Sequence, residues 1–298
     1  MSSTQIQSGC YICGCARNCA QYLRHVFANI KKTGGLFSEY TVIIAYDDSS
    51  DNTLAILNEL RGTINSNNSN SNSNGCGNMI ILQDTRPTSR MRTENIAAAR
   101  NSIIRKIREL QRGRGTGVEY KYFIMMDLDD VCAKPINTAV LREYFEESQL
   151  AKWDSLSFNL ADYYDIWALS VGPYVLSCWH WNNNPMYQFM NREVVVIMTE
   201  YVVGRLKALP ADELLECYSA FNGFAVYKLS HFLDCSYDHN MFNSLKFVPQ
   251  ELIQANMAAL GRPFYTYFEQ DCEHRHFHFE AMMRNRAKIR ISPLMIFG

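Results

Sequence analysis

Three things are scarce in these 298 residues, and each scarcity excludes a class of function. There is no surplus of either charge: 29 lysines and arginines stand against 30 aspartates and glutamates, a net of −1 at pH 7. A broad basic surface is therefore not expected, and nucleic acid is not an expected partner, although local basic groups can still hold a phosphate. There is no apolar run of about 18 residues, the length that a membrane helix needs. The richest, VVVIM at 194–198, is far shorter. The opening residues MSSTQIQSGC are polar and lack the basic segment and apolar stretch of a secretory signal. Neither export nor a membrane span is expected, which points to a cytoplasmic setting. Finally, a second CxxC pair is missing. Ten cysteines are present, and Cys10, Cys13, Cys15 and Cys19 cluster at spacings that resemble a zinc site. Without a partner pair, CYICGC reads instead as a buried strand of reduced thiols.

What is present is a core and a rhythm. Hydrophobic residues make up 47% of the chain, the ordinary share of a protein with a buried interior. Strand-like runs occur at 11–15 (YICGC), 41–45 (TVIIA), 79–82 (MIIL) and 122–126 (YFIMM). Helical spacings of three and four lie between them: Ala20, Leu23, Phe27 and Ile30; then Leu54, Leu57 and Leu60, with Ser50 or Asp51 as cap and Gly62 as stop. A longer helix carries Ile96, Ala99, Ile103, Ile107 and Leu110. Strand and helix in alternation predict an α/β fold, a mostly parallel sheet covered on both faces. The second half is less regular. DSLSFNL and AFNGFAVYK read as strands, CEHRHFHFEAMMRNRA as a helix, and KIRIS as a last strand. Residues 65–75, NSNNSNSNSNG, carry no apolar side chain and read as a flexible, solvated insertion.

In an open α/β sheet, ligands bind beyond the carboxyl ends of the strands. The polar residues gather there. Arg17-Asn18 follows the first strand, YDDSSDNT the second, and the fourth ends in Asp127, Asp129 and Asp130. Taken alone, DDSSDNT is a turn with a helix cap, and DLDD is a solvated loop. Together they describe one crevice. Three acids in four positions repel one another and call for a positive partner. Side chains alternate along an extended segment, so Asp127 and Asp129 project from one side. They suit a hard cation, Mg²⁺ or Mn²⁺, whose shell a diphosphate completes.

These segments, in this order, resemble the GT-A fold glycosyltransferases. ENIAAARNSIIRKIRELQ…YKYFIMMDLDD is similar to their helix–strand–DxD segment. DDSSDNT is similar to their nucleotide-binding turn, with Ser49 where a glycine usually follows the paired aspartates. YICGCARN, YYDIWAL (163–169), SAFNGFAVYK (219–228) and DCEH (271–274) look most like the small enzymes of this kind encoded by giant DNA viruses. For a viral protein, the setting would be host cytoplasm or virion. The resemblance covers about residues 10–295. It implies a single GT-A (Rossmann-like) domain over 1–298, with a nucleotide-binding half at 10–130 and a donor-sugar and acceptor half at 131–298.

The resemblance also implies roles. Asp48 contacts base or ribose, and Arg17 and Arg100 sit near the nucleotide and its phosphates. Asp127 touches ribose or metal, Asp129 binds the metal, and Asp130 reaches toward the sugar. Gly223 falls where the family's glycine-containing segment lies beside donor and acceptor. Glu273 is the implied base that takes the acceptor's proton in an inverting transfer, with Asp165 as second candidate. The implied cofactor is Mn²⁺ or Mg²⁺, the donor a nucleotide-diphosphate sugar, and the acceptor a glycan or glycoprotein. Family members often supply a further histidine near the C-terminus. No histidine follows His278 here, so His278, His276, His274 or water fills that place. His274 and His278 share a helical face and His276 points elsewhere; His278 is the candidate ligand, with His274 left open on the same face. Trp167, Trp179 and Trp181 are candidates for stacking on a sugar or, equally, for the core.

Two other functions fit parts of the pattern. A nucleotidyltransferase of sugar phosphates would use the same sheet and acids, but wants a glycine- and base-rich loop after the first strand. CGCARNCA offers one glycine and one arginine. A catalytically inactive glycosyltransferase-like binding protein would keep the fold without needing the acids at 127, 129 and 273, and these are present.

Overall fold

The structure is a computed structural model. It describes residues 5–66, 76–83, 89–115, 117–181, 192–264 and 269–298. The strands are β1 (Ile6–Ala16), β2 (Phe37–Tyr46), β3 (Cys76–Gln83), β4 (Tyr120–Met126), β5 (Ser155–Asn159), β6 (Leu215–Cys217), β7 (Phe224–Lys228) and β8 (Ile289–Met295). They form one sheet in the order β3-β2-β1-β4-β7-β5-β8-β6. The first four are parallel. β7 runs antiparallel to both β4 and β5, β8 is parallel to β5, and β6 closes the edge antiparallel to β8. The helices are α1 (Ala20–Gly34), α2 (Thr53–Ser66), α3 (Arg92–Arg112), α4 (Thr138–Glu143), α5 (Glu147–Leu150), α6 (Arg192–Ala208), α7 (Leu229–Phe232), α8 (Met241–Leu245), α9 (Gln250–Leu260) and α10 (Glu273–Asn285).

The long apolar strands are what a sheet buried on both faces requires. Alternate residues feed two cores. Tyr11 and Cys13 of β1, Ile43 of β2 and Phe123 and Met125 of β4 pack with α3, α6 and α10 on one face. Cys10, Ile12, Val42, Ile44 and Ile124 pack with α1 and α2 on the other. Phe123 stacks on Tyr227 at 4.6 Å and so welds β4 to the antiparallel β7. Each such fully buried side chain contributes about 1.5–3 kcal/mol of burial free energy.

The strand alternation decides the cysteine question. Cys10 and Cys13 lie in opposite cores, so they cannot share an ion. Among the described residues, no three His, Cys, Asp or Glu side chains converge as a metal site.

Two readings need correction or delimiting. Gly62 does not stop α2, which continues to Ser66. One exposed glycine costs a helix only about 1 kcal/mol, and the buried Leu57, Leu60 and Ile64 hold the last turn down. Asn65 and Ser66 of the Asn/Ser stretch belong to that helix; 67–75 lie outside the described residues. The run VVVIM lies within α6, and no described helix is long and apolar enough to cross a membrane.

Candidate active site

The carboxyl ends of β1, β2 and β4 open on a cleft of about 1050 Å³, large enough for a drug-sized ligand or more. Its parts are fixed from the backbone outward. Asn18, just after β1, is left-handed at φ 49°. Its side chain accepts the Ser50 N–H at 2.8 Å, and its own N–H donates to Ser49 Oγ at 3.1 Å. Asp51 caps two helices at once, accepting from Ala20 N of α1 at 3.1 Å and from Thr53 N of α2 at 3.0 Å. Cys19 provides α1 with no side-chain cap of its own. The turns after β1 and β2 therefore form one latched unit. Much of DDSSDNT is structural, and Asp47 is the acid it delivers to the cleft.

Arg17 lies in the cleft and pairs with Asp47 Oδ2 at 3.2 Å. Asp48, the residue expected to contact the nucleotide, is exposed and is not part of the lining. The reason is register. The Asp47 N–H still bonds to Ala16 O at 3.0 Å, extending the β1–β2 ladder by one step, and Asp48 is the first residue past it.

The acid knot finds a positive partner within the protein. Arg100, on the third turn of α3, is buried and reaches both Asp127 Oδ1 (3.5 Å) and Glu273 Oε1 at the start of α10. Its guanidinium also lies 4.8 Å from the Phe221 ring centre, a cation–π contact. One arginine thus ties the end of β4 to a helix that begins 173 residues beyond the arginine itself. It does not balance the acids fully. Burial, with the Asp129 and Asp165 charges adding, pushes Asp127 up to about 7 against the pull of Arg100. Burial also raises Asp129, against its hydrogen bond from Val131 N. Charge that burial disfavours this strongly is charge that a further cation would stabilise.

Asp127 and Asp129 both line the cleft; Asp130 is exposed and does not. The reason is local. Asp129 caps a short 3-10 turn over Asp130–Cys132, and that turn carries Asp130 away from the strand. Two carboxylate groups fit a hard divalent cation held jointly with a diphosphate, and do not make a protein-only metal site.

His278 is not brought to the cleft. It is fully buried, with Nδ1 at 2.9 Å from Ser219 Oγ and Nε2 at 3.2 Å from Tyr227 OH. Burial lowers it to about 3. Both ring nitrogens are committed to the core, so the expected metal-ligand role has no physical basis there. His274, one turn back, stacks on Phe221 at 4.0 Å and does line the cleft. His276 packs against Phe247.

Gly223 sits under the acids. It has φ +83°, and a Cβ there would meet Val131 Cγ1 at 2.5 Å. Its carbonyl accepts the Asp127 N–H at 2.8 Å. It shapes the cleft from below rather than lining it.

Asp165 also lines the cleft. Its N–H donates to Asn222 Oδ1 at 3.0 Å and its Oδ1 accepts the Ala168 N–H at 3.2 Å. Burial raises its pKa. The loop beyond it is pinned to α10 by the buried Arg275, which pairs with Asp271 at 2.9 Å and donates to the Leu169 carbonyl at 3.0 Å. Trp167 and Trp179 meet edge to face at 5.0 Å in the cleft wall, whereas Trp181 is buried and cannot stack on a ligand.

Sequence reasoning missed Asp47, Arg92 and Tyr164, all in the lining. Arg92 opens α3 and bears electrostatically on Asp127, Asp129 and Asp165. The paired arginines of SRMRTEN, just before a predicted helix, were the available signal for it. Strand period was the signal for Asp47.

No protein-family model matches the sequence, and no curated protein matches it. Solved structures do match, at low identity. S. aureus TarS 1-349 matches with a TM-score of 0.47 at 12% identity, over 97% of this chain and 59% of that one. The mannosyltransferase PcManGT from Pyrobaculum calidifontis, in complex with GDP-Man and Mn²⁺, matches at 0.34 and 12%, over 93% and 70%. The galactosyltransferase LgtC, in complex with donor and acceptor sugar analogs, matches at 0.34 and 11%, over 95% and 72%. The chain spans about three fifths of the TarS structure. Identity this low and superposition this loose say nothing of substrate, so activity has to be read from the cleft.

Proposed function

We propose that the chain is a nucleotide-sugar-dependent glycosyltransferase of the GT-A kind, moving a sugar from a nucleoside diphosphate to a hydroxyl of a glycan or glycoprotein. The observation that carries this is the meeting, at three strand ends, of arginines suited to phosphate with half-buried, under-compensated acids suited to a cation. Residues 10–130 would form the nucleotide-binding half and 131–298 the donor-sugar and acceptor half. Arg17, Asp47 and Arg92 would line the nucleotide's path. Asp127 and Asp129 would hold Mn²⁺ or Mg²⁺ together with the diphosphate, and Gly223 would keep the floor beneath them close. When bound, such an ion offsets negative charge on the departing diphosphate. Arg100 would hold Asp127 and Glu273 in place from below.

In an inverting transfer, the acceptor oxygen bonds to the anomeric carbon as the bond from that carbon to the diphosphate oxygen breaks. The hydroxyl proton goes to a carboxylate. Glu273 is the proposed base. A specific observation favours Asp165 as the second reading: Glu273 is already engaged by the buried Arg100, whereas Asp165 has no such hydrogen-bond partner among the described residues and burial raises it above the ordinary carboxylate value. Glu273→Gln and Asp165→Asn separate the two. The variant that removes the base loses the acidic limb of the pH–kcat profile, where activity falls as that carboxylate takes up a proton, and the other keeps it. Transfer by Asp129→Ala in Mn²⁺, equal to that of the parent, would overturn the metal-site reading.

A further inference from the structure

The aromatic side chains of the cleft are of two kinds. Trp167, Trp179 and Phe221 are built into its wall, packed on one another, on His274 or under Arg100. Tyr164 lines the same cleft yet is 50% exposed.

Its neighbours force it outward. Tyr163 and Ile166, on either side, are buried in the core. Between them, Asp165 is held by Asn222, whose Nδ2 is itself tied to Phe158 O at 2.8 Å. The backbone is held on both sides and the ring between these anchors is half exposed. A rigidly supported aromatic face loses little entropy when something lies on it.

The surroundings limit what that something is. Partial burial, and the charges of Asp127, Asp129 and Asp165, push the phenol above its ordinary value, which places the ring beside those three carboxylates. An apolar disc beside carboxylates that accept hydroxyl hydrogen bonds matches a pyranose, which has a C–H face and a rim of hydroxyls. A serine or threonine side chain offers the hydroxyl but no face.

We infer that Tyr164 is the platform for the acceptor's sugar ring, so that the acceptor group is a pyranose rather than a protein hydroxyl. The ring lies face-down on Tyr164 with a hydroxyl directed at Asp165 and Glu273. This rests on the proposed glycosyl transfer and decides between the two acceptor classes it leaves open.

Saturation-transfer NMR on the whole chain tests it. The probes are methyl pyranosides of glucose, galactose, mannose and N-acetylglucosamine, with a serine/threonine peptide at equal concentration and UDP- and GDP-sugars in separate samples. At least one pyranoside should receive saturation on the C–H protons of one ring face. Tyr164→Ala should weaken its binding about tenfold, and Tyr164→Phe should restore most of it. Saturation unchanged in Tyr164→Ala, or transferred to the peptide alone, overturns the platform. Absence of saturation on every nucleotide sugar, with or without Mn²⁺, instead overturns the glycosyltransferase reading, while the pyranoside signal still reports on Tyr164.

Discussion

The two halves of the sheet hold their share of the cleft by different means. In the parallel half, β1 to β4, the site residues follow strand ends and are placed by short backbone contacts: Asn18 to Ser49 and Ser50, and Asp51 to α1 and α2. In the mixed half, β5 to β8, the equivalent wall hangs on buried side chains. Arg275 gathers Asp271 and the carbonyl of Leu169, and Asn222 joins Asp165 to Phe158. Arg100 of α3 apart, the first half spreads its positioning over many small bonds; the second concentrates it in a few buried polar groups. Where one removed group leaves a buried charge behind, the structure is brittle. Where each bond is solvated and small, it is forgiving.

The largest expected effect is therefore in the mixed half. Arg275→Met keeps most of the volume but leaves Asp271 buried without a cation, and should destabilise the fold by about 3–5 kcal/mol in urea denaturation. Next is Asp129→Ala, which should lower transfer with Mn²⁺ by about 10²–10³-fold, the scale of losing electrostatic stabilisation at the reacting group; its urea midpoint should stay near that of the parent. Asp51→Ala removes a double cap in the parallel half and should cost about 1–2 kcal/mol. If Asp51→Ala proves as costly as Arg275→Met, the contrast between the halves fails. The smallest effect has the opposite sign. Gly62 lies inside α2, exposed and with no atom within 4 Å of an added Cβ, so Gly62→Ala should stabilise by about 0.5–1 kcal/mol.

The same contrast explains what could be read from the sequence. β1, β2, β3 and β4 were legible because a strand buried on both faces is an unbroken apolar run. The acids after β4 were legible because polar residues have few other reasons to follow such a run. Legibility failed by one residue at Asp47 and Asp48, where a ladder bond to Ala16 rather than residue type decides which acid faces the cleft. It failed at His278 because α10 is buried along most of its length, so no polar face marks which histidine meets solvent and which meets Ser219 and Tyr227. It failed at Tyr164 because the alternation of buried and exposed residues there depends on Asn222, 58 residues away in sequence. The sequence marks Arg100 only through the resemblance, as a residue near the nucleotide's phosphates. Its grip on Glu273, like most pairings in the mixed half, is non-local and leaves no periodic trace.

The central claim is that under-compensated acids at the end of β4 bind a cation and a nucleoside diphosphate sugar together. Calorimetric titration of UDP- and GDP-sugars into the parent chain and into Asp129→Ala, each with and without Mn²⁺, measures that coupling directly. The expected result is a donor whose affinity rises at least tenfold with Mn²⁺ in the parent and not in the variant, a coupling of about 1.4 kcal/mol or more. A donor that binds both chains equally, indifferent to Mn²⁺, would contradict it.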